Sequence, residues 1–335
     1  MKNASFKTCT IEAPCKINLH LKIGEKRPDG YHSLESLFAT LAFADMLQFD
    51  AGGKQGDCSL SMTSERPEKP ILPEDNLILR AVSLFRDLTG YKNGLSIRLK
   101  KRIPIGAGLG GGSSDAAATL FALNSLAGGP LSMEELSKTA ALLGSDVPFF
   151  LSGGLAFVSG RGEVIEPVQF FKKFWVVLVK PPFASDTAEA YRLLDHAREG
   201  EKYEKKINEL SKETLLHALE DDPGCWPYYN DFLLDPENEN IEPNTAVYRT
   251  FLNALRKEGA SFAGLSGSGS CCFGIFTSKN TAQRAVKELA ECINRPATCK
   301  GQGTRPFYCT NFIKLTFFLA RRADPVLKQK YLIAL

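Results

Sequence analysis

The feature that most constrains the fold of this 335-residue chain is a glycine-rich stretch at residues 103–120, which reads IPIGAGLGGGSSDAAATL. Its glycines allow positive φ angles and a close approach of the backbone to a ligand. Ser113 or Ser114 can cap a helix, and the residues from Asp115 onwards are typical of a first helical turn. A glycine loop that runs into a helix N-terminus presents free N–H groups to an anion. The stretch therefore predicts a phosphate-binding loop, and the alternative is a glycine-rich turn without a ligand.

Two common nucleotide-binding motifs fit this stretch less well. Gly106, Gly108 and Gly111 match G-x-G-x-x-G, but a dinucleotide site needs a buried parallel strand before the loop and another strand after the helix. Residues 95–100 alternate between apolar and polar instead, and residues 132–135 (SMEE) form a capping box that begins a second helix. No lysine follows the last glycine, so the common P-loop pattern is absent. An NAD(P)-dependent oxidoreductase is therefore disfavoured.

Composition limits the classes of function. Lysine and arginine number 41 against 38 acidic residues, a net charge of +3, which is not the footprint of a nucleic-acid-binding protein. The nine cysteines have irregular spacing without a C-x-x-C pair, so we interpret them as reduced thiols and expect no metal site built from them. No apolar signal segment opens the sequence, and the late apolar runs are too short to cross a bilayer. We expect a cytoplasmic protein without a nucleic-acid, membrane or obligate protein partner.

The remaining patterns predict mixed strands and helices in two domains, residues 1–168 and 169–335. Residues 8–23 predict a strand pair or one long strand interrupted at Pro14. Asn76 and Gly90 bound an amphipathic helix. The other predicted elements are strands at 33–41, 46–51, 174–179, 271–276 and 308–317, a hairpin at 153–168, helices at 245–258 and 281–293, and a charged helix-prone segment at 198–222.

Five motifs, taken together and in this order, resemble the GHMP small-molecule kinase superfamily. They are residues 14–18 (PCKIN), 29–32 (DGYH), the glycine loop, 144–148 (GSDVP) and the glycine-serine turn at 264–270. The motifs are most similar to the branch of that superfamily that phosphorylates a cytidine diphosphate methylerythritol in the non-mevalonate isoprenoid route. The resemblance runs from about residue 13 to residue 312. The sequence departs from it at Cys15, where the family usually has alanine, and in the extra length at 198–222 and 315–335.

The resemblance implies a two-domain α+β fold, with a ribosomal-S5-like N-terminal domain and a ferredoxin-like C-terminal domain. It implies ATP as the phosphoryl donor and Mg²⁺ to neutralise the phosphate charge. The sequence contains no obvious carboxylate cluster dedicated to that metal. The implied ATP-binding residues are those of the glycine loop: Pro104, Gly106, Gly108, Leu109, Gly110, Gly111, Gly112, Ser113 and Ser114.

The resemblance also assigns a catalytic pair, Lys16 and Asp146. The aspartate would accept the proton of the substrate hydroxyl, and the lysine would keep the carboxylate ionised and stabilise the transferred phosphoryl group. The residues alone favour Asp146 as the N-cap of a helix that starts with Val147 and Pro148. Lys16 could be a solvated lysine at a strand edge.

Substrate contacts follow from the same resemblance. Tyr31 would stack on the cytosine ring and His32 would hydrogen-bond its Watson–Crick edge, while Tyr191 supplies a second aromatic ring. Asn18 and Gly267 would contact polar groups of the substrate. Without the resemblance, the tyrosines could be ordinary packing residues, His32 a surface imidazole, and the turn at Gly267 a plain tight turn.

Two rival functions differ from this interpretation in particular residues. A homoserine or mevalonate kinase would share the glycine loop but has no reason to carry the sequence DGYH at 29–32. A nucleotide-binding regulatory protein without catalysis would be expected to have lost Lys16 or Asp146, and this chain has both.

Overall fold

The computed structural model describes residues 7–66, 71–199, 210–233, 245–294 and 312–318. Two β-sheets and their flanking helices make up this part of the chain. The strands are β1 (Lys7–Lys26), β2 (His32–Ala51), β3 (Cys58–Ser64), β4 (Leu95–Lys101), β5 (Leu155–Ser159), β6 (Val164–Val168), β7 (Trp175–Lys180), β8 (Phe262–Leu265), β9 (Cys272–Phe276) and β10 (Phe312–Phe317). The helices are α1 (Leu77–Thr89), α2 (Gly111–Leu126), α3 (Met133–Leu143), α4 (Val147–Ser152), α5 (Thr187–Arg198), α6 (Lys212–Ala218), α7 (Thr245–Lys257) and α8 (Lys279–Asn294), with short 3₁₀ turns at Pro73–Asp75, Pro223–Cys225 and Asp231–Leu233.

The first sheet has six strands built on the long antiparallel pair β1–β2. The other edge of β2 pairs with two strands: residues 36–39 pair with β5, and residues 46–51 pair with β4. Strand β3 runs parallel to β4, and β6 closes a hairpin with β5. Helices α1 to α4 pack against this sheet around a core that includes Phe38, Phe49, Phe85 and Phe149. The hairpin predicted at 153–168 is confirmed.

The second sheet has the strand order β10-β7-β9-β8 and is antiparallel throughout. In chain order the sequence is strand, helices, two strands, helix, strand, which is the ferredoxin-like arrangement. Helices α5, α7 and α8 contribute to the core on this sheet. A further core cluster joins β1 and β2 to β7 and β9, so the two sheets share buried surface. The predicted α+β fold class is confirmed, and the boundary at residue 168 stays a prediction.

The structure corrects the sequence-based prediction for β2. Two strands were expected at 33–41 and 46–51, but β2 is continuous, because Ala44 and Asp45 continue to pair with β1. Strand β1 is also a single strand, and its register shifts between Pro14 and Lys16, where the interruption was expected. Strand β3 was not predicted, since its side chains are nearly all exposed and show no apolar alternation.

Most helix boundaries match the sequence signals. The Asn76 side chain accepts from the backbone N–H of Ile78 at the start of α1, and Gly90 ends that helix with a φ of 68°. The predicted capping box of Ser132 and Glu135 is present at α3. Parts of three predicted segments, residues 200–209, 308–311 and 319–335, lie outside the described residues. None of the described helices combines the length and apolar character needed to cross a bilayer.

Candidate active site

The glycine loop lies between β4 and α2 and enters the helix without a side-chain cap. Gly106, Gly108 and Gly110 have φ angles of 63°, 71° and 68°. Gly110 is the N-cap residue, so Ser113 and Ser114 lie inside the first turn, and the prediction that one of them caps the helix is wrong. The left-handed conformation of Gly110 starts the helix earlier than expected. The first N–H groups of α2 therefore lack both an intrahelical acceptor and a side-chain cap, which suits an anionic ligand.

A cavity of about 310 Å³ opens beside this loop. Residues 104–113 form one wall, and residues 75–78 at the start of α1 form another. The wall contains all of the predicted ATP-binding residues except Ser114. The hydroxyl of Ser114 is buried without a hydrogen-bond partner, and this residue lines a separate small crevice near residues 11–14. The cavity has the position expected for a nucleotide whose phosphates lie at the N-terminus of α2.

Lys16 and Asp146 meet next to the loop. The Lys16 Nζ lies 3.4 Å from Asp146 Oδ2, and the side chains are 5% and 31% exposed. Asp146 is the N-cap residue of α4, but its side chain makes no capping hydrogen bond, so the carboxylate points to the lysine rather than to the helix. The backbone N–H of Lys16 donates to the carbonyl of Leu109 at 2.9 Å, which ties β1 to the glycine loop. The structure thus brings the two predicted catalytic residues together.

Asn18 orients the lysine. Its Oδ1 accepts from Lys16 Nζ at 2.7 Å and from the backbone N–H of Gly267 at 2.8 Å, and its Nδ2 donates to Ser36 Oγ at 3.0 Å. Asn18 is buried, and its side chain makes these three hydrogen bonds within the protein. A role in holding Lys16 in place is therefore the one that the geometry supports.

The late glycine-serine turn packs directly on the glycine loop. Ser266 Oγ donates to the carbonyl of Gly108 at 2.8 Å, and the N–H of Cys271 donates to the carbonyl of Ala107 at 3.1 Å. A Cβ atom placed on Gly108 would lie 2.0 Å from the carbonyl oxygen of Ser266. Only glycine fits at this contact. Through it, the turn at residues 264–270 holds the glycine loop in place.

The predicted base-binding residues form a neighbouring group. The rings of His32 and Tyr191 stack at a centroid distance of 5.0 Å, and Phe232 meets Tyr191 edge-on. Tyr31 is 56% exposed, with the Arg161 guanidinium 5.2 Å from its ring centroid. Burial, and then the Asp146 carboxylate, raises the pKa of Tyr191 to about 12. Because the Asp146 carboxylate contributes to this shift, the Tyr191 phenol lies within electrostatic range of that carboxylate.

A buried ionic cluster that was not predicted from the sequence lies at the floor of the cavity. Lys101 Nζ donates to Asp45 Oδ2 at 2.7 Å and to Asp115 Oδ2 at 2.6 Å. Asp45 Oδ1 accepts from the backbone N–H groups of Arg102 and Ile103 at 2.5 and 2.8 Å, just before the loop. Burial raises the pKa of Asp115 to about 7, against the attraction of Lys101. The alternation of β4 contained the signal, since residue 101 shares the buried side of the strand with 95, 97 and 99.

Comparison with known proteins agrees with this architecture. Residues 76–154 match the model of the GHMP kinases N-terminal domain, and residues 233–294 match that of the GHMP kinases C-terminal domain. A 4-diphosphocytidyl-2-C-methyl-D-erythritol kinase from Prochlorococcus marinus is 40% identical over 85% of this chain and 89% of its own length. One from Thermodesulfovibrio yellowstonii is 37% identical over 83% of this chain and 93% of its own length.

Solved structures give the same result. A crystal structure of 4-(cytidine 5'-diphospho)-2C-methyl-D-erythritol kinase matches with a TM-score of 0.70 and 30% identity, covering 92% of this chain and 98% of that one. The mevalonate kinase of L. major, at 18% identity and a TM-score of 0.66, shares the fold. On the identity and coverage of these relatives, the chain belongs to the 4-diphosphocytidyl-2-C-methyl-D-erythritol kinase family of the GHMP kinases, which are ATP-dependent small-molecule kinases.

Proposed function

We propose that this chain transfers the γ-phosphoryl group of ATP to the 2-hydroxyl of 4-diphosphocytidyl-2-C-methyl-D-erythritol, a step of the non-mevalonate isoprenoid route. The observation that carries the proposal is the Lys16–Asp146 pair beside an uncapped helix N-terminus and its glycine loop. Such an arrangement supplies a carboxylate for a hydroxyl proton and N–H groups for phosphate, which are the groups that phosphoryl transfer needs.

In this mechanism Asp146 is the base. Its carboxylate accepts the proton of the substrate hydroxyl as the hydroxyl oxygen bonds to the γ-phosphorus and the bond from that phosphorus to the bridging oxygen of ADP breaks. The Lys16 ammonium lies 3.4 Å from this carboxylate, where it can stabilise the charge on the transferred phosphoryl group. The ring of Phe38 lies 4.5 Å from the Lys16 ammonium and, with Asn18, limits where that charge can move.

The nucleotide would occupy the cavity beside the glycine loop, with its phosphates on the first turn of α2. Among the described residues, no group of three or more carboxylate, histidine or cysteine side chains could hold a resident metal ion. Mg²⁺ would arrive with ATP, because Mg²⁺ commonly keeps phosphate and water ligands and takes few ligands from protein. The hydroxyl of Ser113 would be available to such an ion, which neutralises phosphate charge when bound.

The cytosine would be recognised by the group formed by Tyr31, His32 and Tyr191. Tyr31 is exposed, which makes its ring accessible to a base, and Tyr191 is held against His32. The turn at Gly267 would face the substrate from the other part of the chain. We also propose a cytoplasmic location, since free thiols are typical of a reducing compartment and the following cysteines are free: Cys9, Cys15, Cys58, Cys225, Cys271 and Cys272.

The test measures ADP release by the purified protein with ATP, Mg²⁺ and 4-diphosphocytidyl-2-C-methyl-D-erythritol, beside homoserine, mevalonate and a reaction without acceptor. Turnover with the cytidine substrate alone is expected. Asp146→Asn should abolish it, whereas Asp50→Asn, the same change at a carboxylate paired with Arg98 on the first sheet, should keep it. Turnover with homoserine or mevalonate instead would refute the proposed substrate, and an active Asp146→Asn would refute the proposed base.

A further inference from the structure

Helix α5 presents two side chains to His32. Tyr191 and Asp195 are four residues apart and therefore lie on the same face of the helix. Tyr191 covers one face of the imidazole, and Asp195 Oδ1 lies 2.6 Å from His32 Nε2. The ring is thus held both by stacking and at one of its two nitrogens.

The contact with Asp195 determines which nitrogen of His32 carries the proton. An ionised carboxylate can only accept hydrogen bonds, so Nε2 must be the protonated nitrogen. Lys26 Nζ lies 3.4 Å from the other oxygen of this carboxylate, Asp195 Oδ2. The side chains of His32 and Asp195 are 7% and 27% exposed, so the hydrogen bond is partly shielded from water.

With Nε2 used in this way, a neutral His32 has only Nδ1 left for a nucleobase, and Nδ1 is then a hydrogen-bond acceptor. The expectation that the imidazole offers both a donor and an acceptor to the base therefore does not hold for this arrangement. Cytosine carries a 4-amino donor, whereas uracil carries an acceptor oxygen at the same position. An acceptor at Nδ1 complements the first base and opposes the second.

We infer that Asp195 is a positioning residue that fixes the Nε2–H tautomer of His32 and thereby selects a pyrimidine with a 4-amino group. This inference rests on the proposed function, because it assumes that the base lies beside His32. Asp195 does not touch the substrate in this view and acts through the imidazole. Its removal should change the choice between bases more than the rate of phosphoryl transfer.

The first measurement is the tautomer of His32, read from ¹⁵N chemical shifts of the wild-type protein without ligand. The chain has four histidines, and His32→Gln identifies the signal by its loss. We expect protonation at Nε2 in the wild type and a mixture of tautomers in Asp195→Ala. Protonation of the wild type at Nδ1 would overturn the inference.

The second measurement compares kcat/KM for the cytidine substrate with that for its uridine analogue. Asp195→Ala should reduce the preference about 10-fold, the upper end of the net effect of one hydrogen bond, and Asp195→Glu should restore part of it. Glu189→Ala is the matched control, because that carboxylate lies on the exposed side of α5 and pairs with Arg192. An unchanged preference in Asp195→Ala would overturn the inference alone, whereas a wild type inactive on the cytidine substrate would refute the proposed function.

Discussion

Replacement of Gly108 by alanine tests whether contact between the two glycine turns sets the geometry of the phosphate loop. The new Cβ would lie 2.0 Å from the carbonyl oxygen of Ser266 and 2.8 Å from that of Gly269, at a residue with a φ of 71°. Ordinary contact begins at 3.4 Å, so the two turns must separate by about 1.4 Å. Positive φ costs an alanine about 1–2 kcal/mol, and overpacking typically adds about 1–3 kcal/mol, so we expect a loss of about 3 kcal/mol in stability.

The separation should also reduce activity. It would break the hydrogen bond from Ser266 to Gly108 and move the loop relative to Lys16 and Asp146. A displacement of about 1 Å in a catalytic arrangement can reduce the rate by about 100-fold, so kcat should fall by this order. The assays are urea unfolding followed by fluorescence, and steady-state ADP release.

Gly128→Ala provides the matched control for this change. Gly128 has a φ of 87°, but no atom lies within 4 Å of its added Cβ, so it reports the backbone cost alone. We expect a loss of about 1 kcal/mol and an unchanged kcat, since positive φ is the only penalty. If Gly108→Ala is no less stable than Gly128→Ala and keeps its kcat, then the contact between the turns does not position the loop.

Three further predictions concern single side chains. Lys16→Met should lower kcat by about 10²–10³-fold with little change in KM for ATP, because it removes a charge that acts on the transition state; near-normal turnover would exclude the role proposed for the lysine. Tyr31→Ala should raise KM for the cytidine substrate about 10-fold through lost stacking, leave KM for ATP unchanged, and leave the melting temperature unchanged because the ring is exposed; equal effects on both KM values would contradict the assignment. Burial, and then Lys22, lowers the pKa of His20 from 6.5 to about 4, so protons bind the unfolded chain preferentially as pH falls through this window. Stability of the wild type should therefore drop relative to His20→Phe by about 2 kcal/mol between pH 7 and pH 5 in urea unfolding, and parallel pH profiles would show that His20 is not the group responsible.

The local sequence predicted the elements whose end residues make characteristic contacts with their own neighbours in the chain. The caps of α1 and α3 and the glycine loop were visible because Asn76, Ser132 and the glycines act on their own neighbours in the chain. The continuity of β2 was not visible, since it depends on pairing with β1. A strand without apolar alternation, such as β3, gave no signal at all.

The site shows the same division between local and distant contacts. The motifs identified Lys16 and Asp146, which are 130 positions apart in the numbering, through resemblance to a family rather than through spacing. The partnership between His32 and Asp195 could not be read from the sequence, because it joins β2 to a helix of the other part of the chain. Cys15, the position where the sequence departs from its family, is fully buried, and burial raises its thiol pKa well above the usual range. It is therefore a small core residue in the reduced form.

The buried cluster explains how both ends of the phosphate loop are held in place. Through Asp45, Lys101 fixes the backbone just before the loop, and through Asp115 it fixes the N-terminal part of α2 just after the loop. Two carboxylates and one ammonium leave a net negative charge, which would oppose a polyphosphate. Burial reduces this charge, because it raises the pKa of Asp115 and so favours the neutral acid. A lysine at residue 101 can therefore connect the two ends of the loop while the cavity beside it stays compatible with ATP.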